Sequence, residues 1–534
     1  MRKLRMRKRH RSIIPPVCLL LLILVSSAFS EQFTELKIDP LLLVSLKECR
    51  NIASSLGKEL YPGWDFQKTL ILFYRPNVQE LLINFPHKSE GFSEYSGFNP
   101  LGNETIYFRN DSTMFTIDDQ NTSSEIDSIP VLVVADPFSS MRNQMQNVLT
   151  QRSKEFAASW LKNWSFIPSP YDELTLILHE AFHVYQSKMA PEKNANEMVI
   201  SQYPLLDPVN NALYVLEGSI LKDALLSTEP SVRKEKIKEF VAIRSFRQSL
   251  LDSNCVEYEN LNEYAEGTAK YVEYKFLKSG EAVEPIREMY YQNGFDGYRG
   301  VLSKQFQNRV NNMVNVVAVN DDRFGNKFGS GPLRFKLYEL GACQALLLDE
   351  LMPAWKEKIF QDGIYLGDML RQSIALSEPE MKKYLEQAKS EYKYDDAYQS
   401  KLQFEKEGKD FIQKKLDAIL KTDQTLVKIS YDGFTDKIGM AFTPFGVTRI
   451  TQKSSIYDLV PIKVRFKEGV ELQMKQVIPV LIDREKKLIA FAVATPISEL
   501  TAGSENKLET GDFVLSGAKI DIKRLGNTLE IQLK

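Results

Sequence analysis

From about residue 151 to residue 425 the chain repeats its apolar residues every three or four positions, and after "LDAILKTDQ" it alternates them every two. These are the periods of a helix face and of a strand face, and a segment built for one cannot bury its apolar side as the other. Segments such as "SVRKEKIKEFVAIRSFRQSLL" and "PEMKKYLEQAKSEY", broken by Pro and Gly, read as a helical block. From about 427 to 534, "IKVRFKEG", "KQVIPVLI", "KLIAFAVAT", "KIDIKRL" and "LEIQL" predict a separate all-β domain, two of its strands joined across a charged "DREKK" turn. Residues 31 to about 150 are mixed: "PLLLVSLKECRNIASSL" predicts a helix, and "TLILFYR", "ELLINF", "TIYF" and "IPVLVVAD" predict a small sheet. The fold class is therefore α+β, and 534 residues with 43% hydrophobic content suffice for two or three domains.

Residues 1–30 stand outside that scheme. "MRKLRMRKRHR" is a basic run, "VCLLLLILV" is apolar but short for a membrane span, and "SSAFS" offers Ala28 and Ser30 before a cut. This is the pattern of a cleaved signal peptide, and it predicts an exported protein, secreted, periplasmic or attached to the cell envelope, with no transmembrane segment in the mature chain. An uncleaved amino-terminal anchor is the other reading.

Cleavage there leaves 61 basic against 70 acidic residues, and no basic stripe marks a nucleic-acid partner. Cys49, Cys255 and Cys343 are an odd, widely spaced set that allows at most one bridge. Sequons at Asn103, Asn110, Asn121 and Asn163 do not fix a source. A phosphate-binding Walker loop, a Gly-x-Ser-x-Gly elbow and a Cys-x-x-Cys pair are all lacking, so nucleotide hydrolysis, serine esterase and redox chemistry have no motif here.

What remains is "LILHEAFHVYQSK", where two of the four histidines stand four residues apart around a glutamate. Ser169 and Pro170 suit a helix start, and Asp172 favours the amino end of its dipole. Leu174, Ile177, Leu178, Ala181, Phe182 and Tyr185 form its core-facing stripe. His179 and His183 fall off that stripe with Thr175 and Gln186, toward a polar groove. Two imidazoles one turn apart can grip one metal ion, and Glu180 can reach a water in its open coordination position. Metal-assisted hydrolysis needs this arrangement: zinc lowers the pKa of bound water, and the carboxylate takes its proton and later returns it. The plain alternative is a solvent-facing helix carrying two ordinary histidines.

Through "HEAFH" and the strand-rich segment before it, residues 60 to 280 resemble the zincin metallopeptidases. The resemblance implies an amino-terminal sheet beside the motif helix, one Zn2+ ion, and a third ligand from a later helix. No histidine follows His183, so a ligand from this chain must be a carboxylate, as in the gluzincin branch. Glu266 in "NEYAEGTAKYVEY" looks like the Glu-Gly-x-Ala pattern of the membrane alanyl aminopeptidase group, although its 83-residue distance from His183 is longer than in that group. The small residues beside it would allow two helices to approach closely, while Glu259, Glu263 and Glu273 make the segment read as an acidic face. Glu217 in "NNALYVLEGSILKDAL" has apolar helical neighbours and reads as buried, which calls for a metal or an arginine as partner. Glu266, Glu217 and Glu263 stay open as third ligand, and the glutamate not used could orient a histidine. Arg244, Arg247, Arg334 and Tyr338 could hold an oxyanion or a substrate carboxylate, but read better as structural.

The expectation is an exported zinc-dependent hydrolase cleaving a peptide or protein substrate, with His179, His183 and a glutamate as metal ligands and Glu180 as general base. Alternatives are a zinc hydrolase of a non-peptide substrate, and a non-catalytic binding or scaffold protein acting through its β domain, whose ligand the residues do not name.

Overall fold

The computed structural model describes residues 35–75, 78–110, 122–135, 169–318, 326–432, 438–466, 469–500, 507–517 and 520–533. The predicted signal peptide, Asn121 and Asn163 lie outside them. Helix α1 (Pro40–Leu56) is followed by a sheet of β1 (Ile71–Arg75), β2 (Gln79–Ile83), β3 (Ser93–Glu94), β4 (Ile106–Arg109), β5 (Thr122–Ile126) and β6 (Ile129–Ala135), in the order β3-β4-β2-β1-β6-β5. β1 runs antiparallel to β2, with Phe73 opposite Leu81, and parallel to β6, with Phe73 opposite Val134. Phe73, Leu81 and Val134 face the main core, whereas Leu72, Leu82 and Val133 bury a second cluster on the other face. A sheet covered on both faces needs unbroken apolar runs, which explains "ILFY" and "VLVVA".

Eleven α-helices follow among the described residues from Pro170 onward, divided by a π turn and short 3₁₀ turns. They are α2 (Pro170–Met189), α3 (Pro208–Leu226), α4 (Pro230–Ser249), α5 (Ser253–Asn262), α6 (Thr268–Ser279), α7 (Leu302–Ala318) and α8 (Gly331–Leu351), and then α9 (Trp355–Lys358), α10 (Leu366–Ile374), α11 (Glu378–Glu391) and α12 (Tyr394–Leu420). α5 and α6 are one continuous rod interrupted by a π-helical turn at Glu263–Gly267. No helix of the described residues is long and apolar enough to cross a membrane. Cys49, Cys255 and Cys343 are buried and free.

The carboxy-terminal strands begin with β7 (Thr425–Ser430) and continue through β8 (Ile438–Ala441), β9 (Val447–Thr451), β10 (Ser454–Tyr457), β11 (Lys463–Phe466), β12 (Glu471–Met474), β13 (Val480–Asp483), β14 (Leu488–Val493), β15 (Lys507–Glu509), β16 (Phe513–Ser516), β17 (Ile520–Leu525) and β18 (Thr528–Leu533). They form a seven-stranded sheet, β17-β18-β7-β14-β13-β10-β9, and a five-stranded sheet, β15-β16-β12-β11-β8. Phe491 of one sheet meets Phe513 of the other at 5.1 Å between ring centroids, so their inner faces share a core. The "DREKK" segment is the turn of the β13–β14 hairpin, with the Asp483 carboxylate accepting from the Glu485 and Lys486 backbone. This region also touches the helices: Ile419 of α12 packs with Ile456, Leu481 and Ala490.

Charge is buried between the helices as well. Arg247 donates from Nε to Glu217 at 2.6 Å and from Nη1 and Nη2 to the two Glu259 oxygens at 2.7 and 2.9 Å, and Arg244 donates to Glu263 at 2.6 Å. Burial works to raise the Glu259 pKa, but Arg247 outweighs it and holds the group down at about 2. Lys336 has no carboxylate partner among the described residues: it is buried, donates to Asn211 Oδ1 at 3.3 Å, and burial together with Lys401 and Arg247 drives its pKa well below the usual lysine range. Its folded pKa is depressed, so the unfolded chain binds the extra proton and stability is lost as pH falls below the ordinary lysine value. Lys336→Met is therefore expected to be more stable than the native protein at pH 7, with the gain shrinking toward pH 10. Urea denaturation across that range checks it, and a gain independent of pH would contradict it.

Candidate metal centre

Helix α2 starts at the predicted place, with Pro170 in its first turn. Ser169 makes no side-chain cap bond; its carbonyl accepts from Glu173 N–H at 3.0 Å. Leu174, Ile177, Leu178, Ala181 and Phe182 are fully buried against the sheet and α1, which turns His179 and His183 toward α6. Their Nε2 atoms lie 3.1 Å apart. Glu266 Oε2 sits 3.5 Å from His179 Nε2 and 3.4 Å from His183 Nε2. The Glu180 carboxylate reaches within 4.8 Å of both histidines, and this His-Glu-His group could hold a metal ion.

Each imidazole is fixed from behind. His179 Nδ1 lies 2.8 Å from Glu273 Oε1, and Glu273 is held in turn by Arg309 Nη1 at 2.7 Å. Arg309 also donates to Asp172 on α2, at 2.6 Å. His183 Nδ1 lies 2.7 Å from Gln186 Oε1. The Gln186 amide nitrogen donates to Tyr264 O, Ala265 O and Thr268 Oγ1 at 3.1, 2.9 and 2.7 Å. The two carbonyls belong to the π turn that carries Glu266, and Thr268 opens α6 directly after it. One glutamine thus ties His183 to the turn that aims Glu266.

The electrostatics favour a cation. Burial opposes protonation of His179, but Glu266 and Glu273 overcome it and raise the pKa to about 10. Burial likewise works against ionised Glu266 and Glu273. The two histidines and Arg334 nevertheless hold Glu266 well below the usual carboxylate range, and Lys270, His179 and Arg309 hold Glu273 at about 2. Glu180 differs: burial raises its pKa, and the two histidines only partly offset that. Carboxylates that draw a proton onto an imidazole draw a metal cation to the same nitrogens.

His179, Glu180, His183, Gln186, Glu266 and Glu273 line a cleft of about 950 Å³, together with Thr122 and Ser123 of edge strand β5 and with Phe335 and Phe445. Comparison with family models, with curated proteins and with solved structures finds no match. Chemistry here rests on the geometry alone.

The structure separates the three candidate third ligands. It brings Glu266 to the histidines. Glu217 is instead bonded to Arg247 and Arg244, and neither it nor Glu263 lines the cleft. Glu263 bonds Arg244 and Gln344, Glu259 bonds Arg247, and Glu273 bonds His179 and Arg309, so the expected acidic face is a row of buried, individually paired carboxylates. The residue orienting His179 is Glu273, which lies at Glu266 plus seven on the same rod. Thr175 and Gln186 are both buried within the hydrogen-bond network; Gln186 lines the cleft with the two histidines, and Thr175 does not. The close approach at Gly267 is to α8: a Cβ there would lie 2.5 Å from Gly341 Cα. Arg244 and Arg247 are structural, whereas Arg334 lies in the cleft, donating to Glu266 Oε1 at 3.0 Å and to Glu197. Tyr338 stacks on His179, with ring centroids 6.2 Å apart.

Glu273→Gln and Gln186→Met each leave the donor atoms in the chain but free an imidazole. Each is expected to weaken divalent-metal affinity by about 10–100-fold in a competitive chelator titration. Unchanged affinity in both would show that the two side chains do not organise the donors.

Proposed function

We propose that this chain is an exported zinc-dependent hydrolase, a metallopeptidase of the zincin type with a gluzincin-like ligand set. The reading is carried by three donor atoms, His179 Nε2, His183 Nε2 and Glu266 Oε2, which stand 3.1, 3.4 and 3.5 Å from one another. A tetrahedral zinc ion with bonds of about 2.0–2.1 Å keeps its ligand atoms roughly 3.3 Å apart. Two imidazole nitrogens and one carboxylate are also a donor set that would suit zinc and would leave room for a water as a further ligand. Export rests on the composition of residues 1–30.

When bound, the metal supplies Lewis acidity, lowering the pKa of a coordinated water and polarising the carbonyl under attack. The protein side chains do the rest. Glu180, its pKa raised by burial, takes the proton from the attacking water as the carbon–oxygen bond forms, and delivers it to the amide nitrogen as the carbon–nitrogen bond breaks. One water is consumed, and a carboxylic acid and an amine are released. Glu273 and Gln186 each accept at an imidazole Nδ1, which leaves the Nε2 lone pairs as the atoms that would hold the metal, and Arg334 holds the other oxygen of Glu266.

Glu180→Gln removes the base and keeps the shape. It is expected to retain metal at the native stoichiometry and to lower peptide hydrolysis by about 10²–10⁴-fold. A mixed peptide library digested by the mature protein and read by mass spectrometry measures this. Equal cleavage by the native and variant proteins would remove Glu180 from the mechanism.

A further inference from the structure

Four rings run in a row from the metal centre to the carboxy-terminal β region. Tyr338 stacks on His179 at 6.2 Å with 20° between planes, Phe335 lies 5.4 Å from Tyr338, and Phe445 lies 5.7 Å from Phe335. All four residues line the cleft. Their 5.4–6.2 Å spacings fall in the range of favourable aromatic contacts. Phe445 is contributed by the turn between β8 and β9, far along the chain from the motif.

That turn is fixed to the helix carrying the other two rings. Val447 N–H donates to Ser330 Oγ and Ser330 N–H donates to Val447 O, both at 3.0 Å, at the position immediately before α8. Asn326 Nδ2 donates to Thr448 Oγ1 at 2.9 Å, and Gly446 N–H closes the turn on Thr443 O at 3.2 Å. The Arg334 guanidinium lies 5.4 Å from the centre of the Phe445 ring, which is half-buried. A large apolar ring kept partly open in a polar cleft, and held by backbone bonds on both sides, is a binding surface rather than core.

We infer that Phe445, with Phe335 and Tyr338, forms the subsite that selects an aromatic side chain of the substrate next to the bond being cut, so that the carboxy-terminal β region sets specificity. The inference rests on the peptidase reading above and names its substrate class. A planar side chain lying along the row gains ring contact that an alanine or a charged side chain cannot make, worth about 10-fold in discrimination.

The test uses the full mature chain loaded with zinc and matched peptides that differ in one position, Phe or Ala. The native protein is expected to cleave the Phe peptide about 10-fold more efficiently, measured as kcat/KM, and Phe445→Ala to bring that ratio toward one while Phe445→Trp preserves it. A second readout needs no turnover: fluorescein-labelled versions of the two peptides, titrated into Glu180→Gln, should show tighter binding of the Phe peptide, lost in Glu180→Gln/Phe445→Ala. Phe445→Leu, apolar and of similar bulk but without a ring, reads the same ratio if Phe445→Ala does not fold. Cleavage with no preference for Phe, or a preference that survives loss of the ring, overturns the inference and leaves the peptidase reading standing. No cleavage of any peptide by metal-loaded protein overturns both.

Discussion

His179 and His183 present two ring nitrogens 3.1 Å apart in a largely buried setting, a geometry that depends on what stands behind each ring. Their outer nitrogens are committed, one to Glu273 on the rod formed by α5, the π turn and α6, and the other to Gln186 of α2, which reaches across to that rod. Everything else at the centre follows from that bridge. It fixes which nitrogen faces the cleft and the distance between α2 and the rod, and it holds the turn that delivers Glu266.

The rod distributes four carboxylates among different tasks by giving each a different partner. Glu259 and Glu263 neutralise Arg247 and Arg244 inside the helical core, Glu266 meets the imidazole pair, and Glu273 supports one of those imidazoles. A buried carboxylate is tolerable only with a cation or several donors around it. The arginine-bound pair therefore contributes to the packing of α3, α4 and α5, and the histidine-bound pair builds a site. The π turn separates the two sets by shifting the helical register between Glu263 and Glu266.

Sequence periodicity reveals the α+β division, because helix and strand faces impose different repeats over long segments; α1, β1 and β6 fall within runs expected from pattern, and β2 and β4 overlap theirs with one residue outside. Strands β3 and β5 do not, since β3 is two residues long and "TSSEI" of β5 is polar at an edge. Within the site, His179, Glu180 and His183 are legible because their relation is local to one helix. The choice among Glu266, Glu217 and Glu263 is not. It depends on where Arg247 and Arg244 lie, residues 30 and 27 positions from Glu217, and on a π turn that no repeat announces. In the sequence Gln186 reads only as part of a polar groove and Glu273 only as part of an acidic face, for the same reason: the role of a glutamate or glutamine on a helix shows only when a partner on another element claims it. Phe445 lies still further off, in a region whose alternation signals a β domain and gives no hint of a cleft.

The central claim is that His179, His183 and Glu266 hold one metal ion. A crystal of the mature protein equilibrated with zinc, with anomalous diffraction recorded on both sides of the zinc edge, tests it directly. The account predicts a single strong peak about 2.0–2.1 Å from each histidine Nε2 and from a Glu266 carboxylate oxygen, open on the side of Glu180 and the cleft. No peak there at saturating zinc, or a peak bound by a different carboxylate such as Glu217, would contradict it.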